Sequence, residues 1–275
     1  MIAAALAEHG HEPELLELVT TGDRWSAEGR AEAADRGMFV KELEEALLDG
    51  RAHLAVHSAK DLPTELPPGL AVLAVPRRED PRDVLVGAPS LDALPAGARV
   101  GTGSPRRSAQ LLLARPDLEV VPIRGNVDTR LGKLDRGEVD ALVLAAAGLA
   151  RLGVSRPDVA PLDPELSTPA PGQGLLAIEG RVDDAETAAA VAVLDEPGAV
   201  EALQAERALL AALGGGCMTP AGALCDPADG GLRLRMTAFR ADDASGAGGR
   251  RAVVVGPGGD PLALAARAAA ELGAA

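Results

Sequence analysis

Tyrosine is absent from this chain of 275 residues, and one Trp and two Phe hold its aromatic content to 1%. The core therefore has to be filled with Ala, Val and Leu, and base stacking on aromatic faces is not a binding mode the chain can rely on. Cysteine is almost as scarce, with only Cys217 and Cys225. That excludes a disulfide scaffold and points to a cytoplasmic protein. The histidines, His9, His11, His53 and His57, form no zinc spacing with the cysteines, so no metal is expected. No apolar run approaches the ~18 residues of a membrane span. The N-terminus lacks the basic-then-apolar order of a signal peptide. Positive charge is short too, and a formal net charge of −14 argues against a nucleic-acid partner.

What is present describes a folded globular protein: 47% hydrophobic and 25% charged residues, in a length that predicts two or three domains. A helix is predicted from Met1 to Ala7 and a strand from Leu15 to Val19. A polar loop follows to about Arg36, then an amphipathic helix from Phe39 to Leu48. Beyond it, strands at His53 to Ser58, Ala71 to Val75, Val84 to Val86, around Val100, and at Val120 to Ile123, Ala141 to Leu144 and Leu175 to Ile178 alternate with helices. This alternation predicts a parallel sheet with covering helices. Pro157 to Pro171 reads as a crossing segment. After Pro197 the pattern changes to a small α+β unit, with a helix from Ala199 to Leu213, strands at Leu232 to Phe239 and Arg251 to Val255, and a last helix from Leu262 to Leu272.

The stretch that draws the rest together is His53 to Pro63. An apolar strand runs into Ser58-Ala59-Lys60-Asp61, and Pro63 ends sheet pairing. Ligands of open α/β sheets bind beyond the carboxyl ends of strands, which makes Asp61 a candidate reactive carboxylate. An ordinary polar turn would hold the same residues, so the choice depends on what the chain supplies as partners.

It supplies cations. From Arg99 to Arg136 there are eight Lys/Arg against four Asp/Glu, a local excess of four positive charges that suggests a confined anion site. In Gly101-Thr102-Gly103-Ser104-Pro105-Arg106-Arg107, Ser104 reads as a helix N-cap and Pro105 as the first helical residue. The loop amides and helix start would face an anion. Arg106 and Arg107 oppose the helix dipole there, with no local compensation. Ile123 to Arg130 repeats the theme with Arg124 and Arg130, and Arg151 ends a later helix, where it is also simple dipole compensation. Several guanidiniums converging imply a ligand with several carboxylates. Gly214-Gly215-Gly216-Cys217 sets a thiol on a flexible loop, as a nucleophile or a covalent anchor. Cys225, in an apolar stretch, reads as a small buried hydrophobe.

Together, His57 to Pro63, Gly101 to Arg107, Ile123 to Arg130, Pro169-Ala170-Pro171-Gly172-Gln173-Gly174 and Gly215-Gly216-Cys217 resemble the hydroxymethylbilane synthase, or porphobilinogen deaminase, family over about Leu15 to the C-terminus. The resemblance implies an α/β fold of two periplasmic-binding-protein-like lobes plus a small C-terminal α+β domain. The division it implies is 1–76 with 172–195, then 77–171, then 196–275, with crossings near Pro76 and Pro171. It implies a transferase that adds four molecules of porphobilinogen, with loss of ammonia, to a dipyrromethane cofactor held by Cys217 through a thioether, and then hydrolyses off the linear tetrapyrrole. Asp61 matches the catalytic aspartate. Lys60, Ser58, Thr102, Ser104, Arg106, Arg107, Arg130 and Gln173 match cofactor contacts, and Arg124, Arg151 and Phe39 match substrate contacts, since each pyrrole carries an acetate and a propionate. A cytoplasmic monomer without nucleic-acid or membrane partners is implied.

Two departures from the pattern stand out. The family begins with a strand and a loop bearing an Arg and a Ser that touch the cofactor, whereas this chain starts inside the following helix. A truncated or misplaced start is the expectation. The mobile loop ends in Ala34-Asp35-Arg36-Gly37 rather than a Gly-Gly-Lys-Gly-like sequence. The alternatives are an inactive two-lobe binding protein of the same family and a DNA-binding regulator with the same effector fold. Asp61 and Cys217 favour the enzyme, since a pure binder needs neither.

Overall fold

The computed structural model describes residues 1–18, 40–215, 220–239 and 248–273. Helix α1, Ile2–Glu8, has no side-chain cap and is held by Leu6, which packs with Ala74, Ile178 and Val191. The predicted strand at Leu15 to Val19 is corrected over its described part: Leu15 to Leu18 are irregular, and Leu15 is 79% exposed. A strand needs a ladder for its N–H and C=O groups, and no described strand pairs with these residues. Val19 lies outside the described residues.

Helix α2, Lys41–Leu48, turns Ala46 and Leu47 inward. Strand β1, Leu54–Ser58, runs into a single 3₁₀ turn, Ala59–Asp61, and strand β2 follows at Leu70–Ala74. The chain then builds β3 Asp83–Val86, β4 Arg99–Gly101, α3 Pro105–Ala114, β5 Glu119–Val121, α4 Val127–Asp135, β6 Ala141–Ala145, α5 Ala146–Arg151 and β7 Val159–Pro161. It returns through β8 Leu176–Arg181 and α6 Ala185–Val191, and closes with α7 Pro197–Ala212, β9 Ala221–Ala228, β10 Gly231–Ala238, β11 Arg250–Gly256 and α8 Pro261–Glu271.

These strands form three sheets, ordered β1-β8-β2, β5-β4-β6-β3-β7 and β11-β10-β9. The expectation of parallel pairing holds only where helices carry the chain back over the sheet: β4 is parallel to β5 and to β6, with α3 and α4 as the crossovers. Elsewhere it is corrected. Strand β3 is antiparallel to β6 and β7, and β8 is antiparallel to both β1 and β2. The reason lies in the route: β8 enters its sheet from the second lobe, at the end where β1 leaves. The predicted crossing at Pro157 to Pro171 includes edge strand β7. Strand β9 was not foreseen; its Pro227 lies on an edge strand, where a missing N–H costs no ladder bond.

Without aromatic rings, the interior is aliphatic. Leu85, Leu111, Leu142, Ile178, Leu209 and Leu234 are fully enclosed. The second sheet is packed on both faces, by one cluster around Leu85 and Val143 and another around Val86 and Leu142. In the C-terminal unit, α7 and α8 cover one face of the sheet through Leu209, Leu264 and Ala268 against Leu234 and Met236.

The two passages between lobes touch. Glu79 N donates to Gly174 O (3.0 Å) and Arg78 Nε to Gln173 O (2.9 Å). A Cβ on Gly174 would sit 2.4 Å from Glu79 O, so only glycine allows this approach. The C-terminal unit is fastened at the same point by Glu206 of α7, which is wholly buried. Its carboxylate accepts from Arg78 (2.6 Å), Gly172 N (2.6 Å) and Cys225 N (2.7 Å).

Candidate active site

The turn that carries Asp61 is built by its neighbours. Ala59 N donates to Leu175 O (3.0 Å), and Leu62 is buried on the far side. Gly172, at φ +77°, lies so close that a Cβ there would come within 2.9 Å of Ala59 C and Lys60 N. Arg207 of α7 clamps the exit of the turn by donating to Pro63 O (2.7 Å) and Thr64 O (2.9 Å). The acid turn is thus pressed between the return passage and the C-terminal unit.

In front of it lies a small cavity of about 40 Å³, lined by Ser58 and Lys60 from the first lobe, Ala145, Ala147, Gly148 and Arg151 from the second, and Gly172 to Leu175 from the return passage. Four predicted site residues, Ser58, Lys60, Arg151 and Gln173, meet here. A larger cavity of about 380 Å³, between β2 and α7, is mostly apolar and holds none of the predicted site residues. Of these two cavities, only the smaller is lined by predicted site residues.

Lys60 is the most perturbed cation at the cavity. Burial drives its pKa down to about 8, helped by Arg107 and Arg106 and opposed by Asp61 and Asp83. Arg151 donates to Gly174 O (2.7 Å), and burial lowers its pKa against the pull of Glu79.

The Gly101–Arg107 segment folds as its residues dictate. Ser104 caps α3 by accepting from Arg107 N, Pro105 is the first helical residue, and buried Thr102 accepts from Ser104 N (3.2 Å). The two arginines that seemed uncompensated are answered from β3. Asp83, wholly buried, accepts from Arg106 (2.7 Å) and from Arg107 Nε (2.9 Å) and Nη2 (2.7 Å). Ser167 Oγ (2.8 Å) and Gln173 Nε2 (2.9 Å) complete its shell. Burial alone would raise the Asp83 carboxyl, but the two guanidiniums overcome it and hold the group far below the carboxylate range. Gln173 reaches from this centre to the cavity wall.

The other predicted residues lie apart from that centre. Asn126 caps α4 through Thr129 N (2.9 Å), and Arg130 Nε donates to Gly125 O (2.7 Å), fixing the turn between β5 and α4. Arg124 is exposed and does not line the cavity. Phe39, Cys217 and the loop end at Ala34 to Gly37 fall outside the described residues. Cys225 is buried as expected, and its thiol is pushed up to about 12 by burial and by Glu206.

Sequence reading missed Asp83 and Glu206. Each had a signal. Asp83 opens a fully buried strand, and Glu206 lies on the inward stripe of α7 with Ala199, Ala202, Leu203 and Leu209. A charge on an apolar stripe needs a partner.

Comparison with known proteins bears on this geometry. A family model described as "Porphobilinogen deaminase, dipyromethane cofactor binding domain" matches residues 1–189. A porphobilinogen deaminase of Acidothermus cellulolyticus is 49% identical over 277 residues, covering 98% of this chain and 83% of its own. One from Roseiflexus sp. is 50% identical over 240 residues, covering 86% and 78%. Among solved structures, the substrate-binding protein of an amino-acid ABC transporter aligns over 70% of this chain and 77% of its own, at 16% identity and a TM-score of 0.36.

Proposed function

Since this chain belongs to the porphobilinogen deaminase family, we propose that it acts as a hydroxymethylbilane synthase. This transferase joins four porphobilinogen molecules, with loss of ammonia at each addition, on a dipyrromethane cofactor, and then frees the linear tetrapyrrole by hydrolysis. The observation that carries the assignment of roles is the meeting of Ser58, Lys60, Arg151 and Gln173 around one cavity, at the foot of the turn that holds Asp61.

The residues present suit a cofactor with several carboxylates. Two guanidiniums share the single carboxylate of Asp83, which leaves one net positive charge beside the cation of Lys60. When bound, the cofactor supplies the pyrrole carbon from which the product grows. Lys60, Ser58, Thr102, Ser104, Arg106, Arg107, Arg130 and Gln173 hold its carboxylates by direct donation or by field, and Cys217 anchors it covalently. Arg124, Arg151 and Phe39 receive the substrate. Asp61 aids departure of the amine and stabilises the positive charge that develops on the substrate as ammonia leaves. The division into 1–76 with 172–195, 77–171 and 196–275 puts the acid, the basic wall and the anchor on separate units. On this reading the protein is a cytoplasmic monomer, in keeping with its net charge of −14.

Intact mass and turnover test these roles. The purified protein is expected to carry a covalent adduct that Cys217→Ser lacks. Asp61→Ala should keep the adduct and the fold but lose porphobilinogen turnover by more than about a hundredfold. An unmodified thiol at Cys217, or an Asp61→Ala variant that turns over normally, would overturn the respective assignment.

A further inference from the structure

His57 belongs to the motif that carries Asp61, yet no step above uses it. Its side chain is 4% exposed, that of Glu179 on β8 is 0% exposed, and Nε2 lies 2.9 Å from Oε2. The contact lacks hydrogen-bond geometry: neither His57 Nε2 nor either Glu179 oxygen has a hydrogen-bond partner among the described residues. Glu44 of α2 faces the same pair, and its carboxyl is raised by burial and by Glu179 and lowered by His57. A buried pair of this kind is poor at stabilising a fold, since apolar side chains of similar volume commonly do as well or better. Some other demand has to keep it.

Strand pairing supplies one. Among the described strands β1 is an edge strand, joined only to β8 through five residue pairs from Leu54↔Gly180 to Ser58↔Leu176. Ala55 faces Glu179 and His57 faces Ala177, so His57 and Glu179 are diagonal neighbours on one face. A slide of one residue would turn the inward set outward. A slide of two keeps every side chain on its face and moves Ser58 and the acid turn by about 7 Å. Backward, that slide carries the Ala59 amide from Leu175 O to Ala177 O and sets His57 directly opposite Glu179, so what opposes it is the close packing of the turn on Gly172 rather than the pair. Forward, it sets His57 opposite Leu175 and leaves two ionisable groups buried apart, the costlier error.

We propose that the buried His57–Glu179 pair is a register stop that fixes how far the acid-bearing turn projects into the cleft, so that both are positioning residues for Asp61. The proposal rests on the catalytic role assigned to Asp61, and its test separates the two. In His57→Leu/Glu179→Leu the fold should melt no lower than the parent. Its kcat should nevertheless fall by about a hundredfold with little change in KM, and the Ala59 amide should exchange its hydrogen faster. A purely structural pair would move stability and kcat together. His57→Gln/Glu179→Gln, which keeps a polar contact across the strands, should restore kcat to within about threefold and protect the Ala59 amide.

The stop is overturned if the leucine pair retains parental kcat, or if the glutamine pair folds with kcat as low as the leucine pair. Should the leucine pair fail to fold, the glutamine pair decides alone: near-parental kcat with a protected Ala59 amide supports the stop, and a large loss overturns it. Near-parental turnover in Asp61→Ala would strike the role of Asp61 instead, because amide exchange at Ala59 reads the stop without reference to activity.

Discussion

Asp83 and Glu179 are equally buried, at 0% exposure, and could hardly be treated more differently. Asp83 receives two guanidiniums, a hydroxyl and an amide. Glu179 has one imidazole at contact distance and no hydrogen bond among the described residues. The first is a saturated hub that ties β3 to α3, to Ser167 of the crossing segment and to the return passage. The second is a buried carboxylate with an incomplete shell in a short sheet. Burial alone therefore does not say what a carboxylate is for; the completeness of its shell does.

That contrast can be broken at its stronger end first. Asp83→Asn leaves Arg106 and Arg107 buried without their counter-ion and should cost about 3–5 kcal/mol of stability, read from the denaturation midpoint. The leucine replacement of His57 and Glu179 sharpens the contrast from the other side: stability should hold or rise, by up to about 4 kcal/mol, while kcat falls. If both replacements destabilise alike, the distinction between hub and stop is wrong.

A smaller effect follows from Lys60. Its pKa of about 8 lies below the ordinary lysine value of 10.5, so the fold disfavours its charged form. The destabilisation is full below pH 8 and fades as pH rises toward 10.5. Function should run the opposite way: as pH rises through 8 the cation is lost, and kcat/KM for porphobilinogen should fall. In Lys60→Arg, which stays charged, that limb should shift to higher pH; an unchanged limb would remove Lys60 from the anion site. Smallest of all, Arg99→Ala should leave both melting temperature and kcat unchanged, because its pair with Asp140 is 39% and 42% exposed.

Much of this was legible in the residues. Ser104 declared the start of α3 through local capping chemistry, and the apolar runs at Leu85 and Leu142 declared buried strands. Ser58, Lys60, Arg151 and Gln173 could be named, and they meet. Strand direction was not legible, because β8 owes its antiparallel setting to a route through another lobe. Nor were the partners of Arg106 and Arg107, since Asp83 lies 23 and 24 residues away. Leu15 to Leu18 misled for the converse reason: their pattern is that of a strand, but pattern without a neighbouring strand makes no ladder.

The paired passages between the lobes carry a last consequence. Joined by Glu79 to Gly174 and by Arg78 to Gln173, the two connections behave as a ribbon rather than as two strings. A ribbon bends readily across its flat face and resists sliding within its plane. Here, sliding one connection along the other would break both of these bonds and drive the Gly174 backbone against Glu79 O.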